Sequence, residues 1–141
     1  MLLTDEQQKQ IVATIKAAEK NTSGEVKVHI EANCTSDEVL DRAKEVFFNL
    51  GMHRTERRNG VLFYVATEDR KFAILGDEGI DAVVPDDFWQ TTRDLMRKHF
   101  QKAEYAEGLS AGIQLAGQQL QAYFPYQDDD TNELSDDISF G

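Results

Sequence analysis

The chain has 141 residues, of which 40% are hydrophobic and 29% charged, and its formal net charge is −11. That size and composition suit one globular domain with its own core and exclude a chain that is disordered throughout. The acidic balance argues against a nucleic-acid partner and against binding to an anionic membrane surface, because both need clustered Lys and Arg.

The predicted elements begin with a helix, a strand and a second helix. A capping box at Thr4 and Gln7 opens the first helix. Residues 25–31 alternate between apolar and polar side chains, which predicts a strand with one apolar face. A second capping box, at Thr35 and Glu38, precedes apolar residues at helical spacing and predicts the start of the second helix.

The later elements form a hairpin and two more helices. Gly51 is predicted to cap the end of the second helix. Residues 61–66 are continuously apolar, as a strand buried on both faces should be, and residues 71–75 return antiparallel after a tight turn. A third helix is predicted to start at Pro85 and a fourth to span residues 106–124.

This order of elements predicts a three-layer α/β/α fold. Its small mixed sheet combines a parallel strand-helix-strand unit with an antiparallel hairpin, and about four helices flank it. Residues 1–125 form the predicted domain. Residues 126–141 form a predicted flexible tail, because six of the 26 acidic residues fall in these last 16 positions, without Lys or Arg. The ending Ile138 to Gly141 suits docking on a partner or back on the domain; a plain solubilising tail is the alternative.

The sequence predicts no targeting signal. Met1, Leu2 and Leu3 lead directly into a polar segment rather than into the apolar run of a signal peptide, and no apolar run approaches the roughly 18 residues of a membrane span. Cys34 is the single cysteine, which excludes an internal disulfide and suits a reducing compartment. The sequence therefore predicts a soluble, cytoplasmic protein with no direct membrane insertion.

An acidic loop bracketed by glycines spans residues 76–79 and is followed by Asp81. Hard cations such as Ca²⁺ and Mg²⁺ take carboxylate oxygens as ligands, which makes Asp77, Glu78 and Asp81 the candidate metal ligands. The alternative is a solvated acidic loop whose glycines serve turn geometry.

The hairpin turn contains Asp69 and Arg70, a carboxylate beside a side chain that binds phosphate bidentately. The alternative is an ordinary turn with a local ion pair worth under about 1 kcal/mol. This turn and the loop 76–79 are predicted to lie at opposite ends of the hairpin, and a single compact site would need the chain to double back.

Two further positions have both a structural and a functional interpretation. Asn59 and Gly60 supply the positive φ of a turn into a strand, or let a ligand approach the backbone. Glu25 opens the first strand, where its carboxylate faces either a cleft or the solvated side of an edge strand.

Five short motifs, in their order along the chain, resemble those of the TPM domain. This domain is a module of thylakoid-lumen, photosystem II repair and nicotinic-receptor auxiliary proteins. The resemblance spans about residues 4–124. The motifs are Ser23-Gly24-Glu25, Asn59-Gly60-Val61-Leu62, Asp69-Arg70, the element from Gly76 to Gly79, and Tyr105-Ala106-Glu107-Gly108-Leu109. The family commonly has Gly-Tyr-Gly where this chain has a longer and more acidic loop. The resemblance implies a three-layer α/β/α fold, a divalent-cation site and an acid phosphatase activity.

Two functions remain open at this point. The first is an interaction or assembly module with a protein partner, in which a bound cation stabilises a loop. The alternative is a divalent-cation-dependent phosphomonoester hydrolase in which Asp69 and Arg70 act on the phosphoryl group. We favour the module, because the sequence shows no base–nucleophile pair. The enzyme would be favoured if five side chains met in one cleft, and a role in turns and caps would be favoured if they were spread over the surface. These five are Glu25, Asn59, Asp69, Arg70 and Asp77.

Overall fold

Four strands form one mixed sheet in the order β3-β2-β1-β4. The computed structural model describes residues 3–126 and 134–141. In chain order the elements are α1 (Asp5–Ala18), β1 (Glu25–Glu31), α2 (Val39–Asn49), β2 (Gly60–Ala66), β3 (Lys71–Gly76), α3 (Glu78–Asp81), α4 (Gln90–Gln101), α5 (Tyr105–Leu120) and β4 (Ser139–Phe140). A 3-10 turn, Met52–Arg54, follows α2.

The pairing of the first three strands matches the predicted topology. β1 runs parallel to β2, with Glu25 opposite Gly60. β2 and β3 are antiparallel, and their register brings Ala66 opposite Lys71 at the turn. The predicted parallel unit and antiparallel hairpin are therefore confirmed.

Helices cover both faces of the sheet, which confirms the predicted three-layer α/β/α fold. One core joins α1, α4 and α5 to the apolar side chains of β1 and β2, including Val26, Val28, Ile30 and Phe63. A second core joins α2 to the opposite face, and its members are Ala43, Val46, Phe47, Met52, Leu62, Tyr64, Ala66 and Ala73. None of the helices in residues 3–126 and 134–141 is long and apolar enough to span a bilayer.

The helix ends follow local sequence only in part. The Thr4 hydroxyl accepts from the Gln7 amide at 3.1 Å and the Gln7 side chain accepts from the Thr4 amide at 2.9 Å, which confirms the first capping box. Gly51 adopts φ 71° after α2, as a C-terminal cap should. The second capping box is wrong, because α2 begins after Glu38 and no side chain caps its first turn.

The predicted start of a helix at Pro85 is also wrong. The segment before α4 forms turns, in which the Phe88 amide donates to the Pro85 carbonyl at 3.0 Å. This turn buries two successive aromatic rings, Phe88 and Trp89, with their centroids 4.7 Å apart in an edge-to-face contact. The chain therefore forms a turn that packs both rings in the core before α4 begins at Gln90.

The end of the chain returns to the sheet. β4 pairs in parallel with His29 and Ile30 of β1, so β1 is an interior strand. The prediction of a flexible tail over residues 126–141 is therefore wrong for residues 134–141, and its part on residues 127–133 lies outside the described residues. Docking back on the domain, one of the alternatives from the sequence, is the one observed for this C-terminal segment, residues 134–141.

Candidate functional site

The acidic loop that was predicted to bind a cation is tied to an arginine. Arg58 Nε donates to Asp77 Oδ2 at 2.8 Å and its NH2 group donates to Asp77 Oδ1 at 2.9 Å. Its NH1 group donates to Glu78 Oε1, also at 2.8 Å. Asp77 additionally caps α3, since Oδ1 accepts from the Glu78 amide at 2.8 Å. Gly79 completes the attachment by donating its amide to the Arg58 carbonyl at 2.9 Å.

These contacts leave little room for a divalent cation. Both carboxylate oxygens of Asp77 accept from Arg58, and burial, together with the charge of Asp77, raises the pKa of Asp81. In residues 3–126 and 134–141 no three His, Cys, Asp or Glu side chains are grouped as a metal site. The residues as arranged do not fit the cation without displacement of Arg58, and the ligand set Asp77, Glu78 and Asp81 stays a prediction.

The glycine and asparagine motifs at the same end of the sheet serve the fold. The Asn59 side chain is buried and donates to the Ser23 carbonyl at 3.1 Å. Gly60 lies opposite Glu25 in the sheet. The predicted positive φ at Asn59 and Gly60 is wrong, because the left-handed residue before β2 is Arg58, with φ 51°. Glu25 is only 5% exposed, so its interpretation as a solvated residue of an edge strand is wrong. Gly76 ends β3 and pairs with β2 at this same end.

The hairpin turn lies at the opposite end of the sheet. Asp69 Oδ2 accepts from the Cys34 amide at 2.6 Å and so holds the loop that follows β1. Arg70 has φ 56°, in the left-handed region, and its guanidinium forms no hydrogen bond or ion pair with any residue that the structure describes. The predicted set is therefore split, with Glu25, Asn59 and Asp77 at one end and Asp69 and Arg70 at the other.

A buried polar network at the end of β1 was not predicted. Glu31 accepts from Arg42 Nε at 2.9 Å and NH2 at 2.8 Å, lies 3.1 Å from His29 Nε2, and also accepts from the Tyr64 hydroxyl. The Arg42 hydrogen bonds lower the pKa of Glu31 to about 2, against the opposing effect of burial. Burial, and then the bond to Glu31, raise the pKa of Tyr64.

The polar face of β1 receives the C-terminal segment. Lys27 Nζ donates to the carbonyls of Ser135 and Asp137 at 3.2 and 2.7 Å. His29 Nδ1 lies 2.8 Å from Ser139 Oγ, and Glu25 Oε1 accepts from the Leu134 amide at 2.7 Å. The alternation of residues 25–31 marks this polar face in the sequence but does not show what covers it.

A protonated carboxyl also contacts this segment. Glu19 follows α1, and its Oε2 accepts from the Val26 amide at 3.0 Å. Burial, and then the hydrogen bond to Asp136, raise the pKa of Glu19 to about 9. A neutral Glu19 can donate to the Asp136 carboxylate, so one acidic residue of the segment is held by another acid of the domain.

The comparisons with known proteins assign the chain to a family. A sequence model of the TPM domain matches residues 1–119. The chain therefore belongs to the TPM domain family. The predicted resemblance is confirmed, while a search of the curated proteins gives no match.

Solved structures show the same fold as this TPM domain. The BA42 protein of the psychrophilic bacterium Bizionia argentinensis is 50% identical, with a TM-score of 0.94 over 100% of this chain and 97% of that one. The N-terminal domain of a P. gingivalis protein is 24% identical, with a TM-score of 0.68 over 89% of this chain and 82% of that one. The N-terminal domain of the Corynebacterium glutamicum protein cg2496 is 10% identical, with a TM-score of 0.63 and coverages of 94% and 77%. The last two support the fold alone.

Proposed function

We propose that this TPM domain is an interaction module that binds an extended, acidic segment of a protein along the polar face of β1. The observation that carries the proposal is that three alternate side chains of one strand, Glu25, Lys27 and His29, each contact the C-terminal segment. Hydrogen bonds to the main chain of an extended peptide, with pockets for alternate side chains, are a recurring mode of peptide recognition.

Charge explains why the segment should be acidic. Burial lowers the pKa of Lys27, and the neighbouring Asp137 and Asp136 of the segment act in the opposite direction. An acidic segment therefore helps to keep the buried ammonium group charged, and a neutral one would not. A partner of this module would present acidic residues followed by an apolar ending, as the C-terminal segment does.

Exchange of one segment for another is favoured by the shortness of β4. Only two residues of β4 pair with β1, which has seven residues. Few ladder hydrogen bonds must break before a segment of a partner can occupy the same edge. The C-terminal segment of the same chain then occupies the site to which a partner protein would bind.

The hydrolase hypothesis has less support. It would use Asp69 and Arg70 together with a cation at Asp77, Glu78 and Asp81, and the hairpin separates these two groups. We expect no cation-dependent turnover of p-nitrophenyl phosphate in calcium or magnesium. Turnover by the full chain that disappears in Asp69→Asn would establish the enzyme instead.

The proposal is tested with a variant that releases the segment and a peptide that replaces it. Proline at position 139 cannot donate a backbone amide and is disfavoured in a paired strand, so Ser139→Pro should free the β1 edge while the full chain stays folded. We then expect a peptide of residues 134–141 to give saturable NMR shifts in the amides of β1, and Lys27→Met added to Ser139→Pro to weaken that binding.

A peptide with the same residues in reversed order is the matched control, because it keeps the net charge and changes only the pattern. Equal binding of both peptides would leave a nonspecific charge effect and would contradict the proposal. Failure of the residue 134–141 peptide to bind the Ser139→Pro protein would contradict it as well.

A further inference from the structure

A cavity of about 410 Å³ opens between the β2–β3 turn and the corner that joins α4 to α5. Its apolar wall is aromatic: Phe72 and Phe100 meet edge to face with centroids 5.0 Å apart, and Tyr105 lies 5.1 Å from Phe100. This arrangement leaves half-buried ring surface that a flat apolar group can cover.

The polar lining of the cavity is cationic. Arg70, Lys71 and Arg97 contribute to it, and none of the lining residues is acidic, although the whole chain has a net charge of −11. Arg97 also forms an exposed ion pair with Asp94 of α4, at 3.3 Å. The Arg97 guanidinium carbon lies 6.0 Å from the centroid of Phe72, which joins the charge to the aromatic wall. The cavity therefore combines a positive rim with an apolar interior.

Backbone conformation gives an independent indication at the same place. Among the lining residues, Arg70 has φ 56°, in the left-handed region that favours glycine, whereas the φ of 58° at Ala103 belongs to the C-terminal cap of α4. Such residues cluster at ligand sites, where an unfavourable conformation positions a side chain. Arg70 fits this pattern, because its guanidinium has no ion pair or hydrogen bond with the described residues that would account for an arginine here.

We propose that this cavity binds a small organic carboxylate with an aromatic or similarly flat apolar body. A guanidinium group matches the two oxygens of a carboxylate in plane, and Arg70 and Arg97 both border the cavity. The apolar body then lies against Phe72, Phe100 and Tyr105. This site is separate from the β1 edge, so the test of carboxylate binding does not depend on the proposed function.

The experiment is an NMR titration of the labelled full chain with 3-phenylpropionate and with its neutral analogue 3-phenylpropionamide. We expect saturable shifts in residues 65–72 and 97–105 with the carboxylate, and much weaker ones with the amide. Arg70→Gly and Arg97→Gln should each weaken carboxylate binding about tenfold, the effect of one charge-assisted hydrogen bond. Arg93→Gln, on α4 but outside the cavity, should leave binding unchanged.

Thermal unfolding of the same variants separates binding from folding. Glycine is favoured at φ 56°, so Arg70→Gly should weaken binding while its melting temperature stays equal or rises. The proposal is overturned by equal binding of the amide, by tighter binding of inorganic phosphate than of 3-phenylpropionate, or by unchanged carboxylate binding in Arg70→Gly.

Discussion

Two arginines at opposite ends of the hairpin adopt the same unusual backbone conformation. Arg58 has φ 51° and Arg70 has φ 56°. Arg58 holds both oxygens of Asp77 and one of Glu78 in ion pairs, whereas Arg70 faces a cavity without a partner in the described part of the chain. The same residue type in the same conformation thus has a structural role where its charge is satisfied and is a binding candidate where it is not.

The largest expected effect tests how tightly the Arg58 end is packed. A Cβ on Gly79 would overlap the carbonyl oxygen of Arg57 and lie 2.6 Å from that of Arg58. Because the obstacle is backbone, Gly79→Ala should lower the free energy of unfolding by about 3 kcal/mol. Gly60→Ala is the control: its Cβ has no neighbour closer than 3.5 Å, and the change should stay under about 1 kcal/mol. Chemical denaturation measures both, and a similar loss in the two variants would contradict the packing difference.

A second comparison between the ends of the sheet concerns how Glu31 and Glu19 make the stability of the fold depend on pH. Glu31 has a folded pKa of about 2, below its ordinary 4.5, so its stabilisation is present above pH 4.5 and is lost as the pH falls toward 2. Glu19 has a raised pKa of about 9, so its stabilisation is present below pH 4.5 and is lost as the pH rises toward 9.

Replacing either glutamate with glutamine should remove its part of the pH dependence of the unfolding free energy. Glu19→Gln should be more stable than the wild type by roughly 2 kcal/mol near the alkaline end, and the gain should vanish near pH 4.5. Glu31→Gln should instead reduce the fall in unfolding free energy between pH 4.5 and pH 2. A Glu19→Gln gain that does not depend on pH would show that the carboxyl is already ionised in the folded protein.

Two variants, one at each end of the hairpin, should change the free energy of unfolding by smaller amounts. Asp77→Ala removes the acceptor of the Glu78 amide at the start of α3 together with the ion pair to Arg58, and the two losses should cost about 1.5 kcal/mol in unfolding free energy. Arg70→Gly removes no contact with the described residues, and stability should stay constant or rise by up to about 1 kcal/mol. A clear loss in Arg70→Gly would mean that the turn itself requires the arginine.

Calcium provides the finest test of the Arg58 end. If Arg58 competes with a cation for Asp77 and Glu78, Ca²⁺ should raise the melting temperature of Arg58→Met more than that of the wild type. Adding Asp77→Asn and Glu78→Gln to Arg58→Met should abolish the rise. An equal rise in all three proteins would place the cation elsewhere.

Much of the fold was predictable because its signals are local. The Thr4 capping box, the glycine after α2 and the hairpin each depend on residues within one turn or one strand pair. The separation of Asp69 from Asp77 followed from the same hairpin, and with it the expectation that these carboxylates would not form one site. The TPM resemblance also rested on short motifs in order, and the family match confirmed it.

The surfaces that we propose for binding were decided by the tertiary structure. Alternating polar residues look the same in sequence whether water or another segment covers them, and only the return of residues 134–141 shows that Lys27 and His29 are buried. The partner of Asp77 is 19 residues away, and no local pattern selects Arg58 over its neighbours. The cavity at Arg70 joins a turn to a distant helix corner. The sequence by itself determined α1, the strands β1 to β3 and the family, because these depend on short-range preferences. The fold decided which charges are satisfied, because that depends on contacts between segments far apart in the chain.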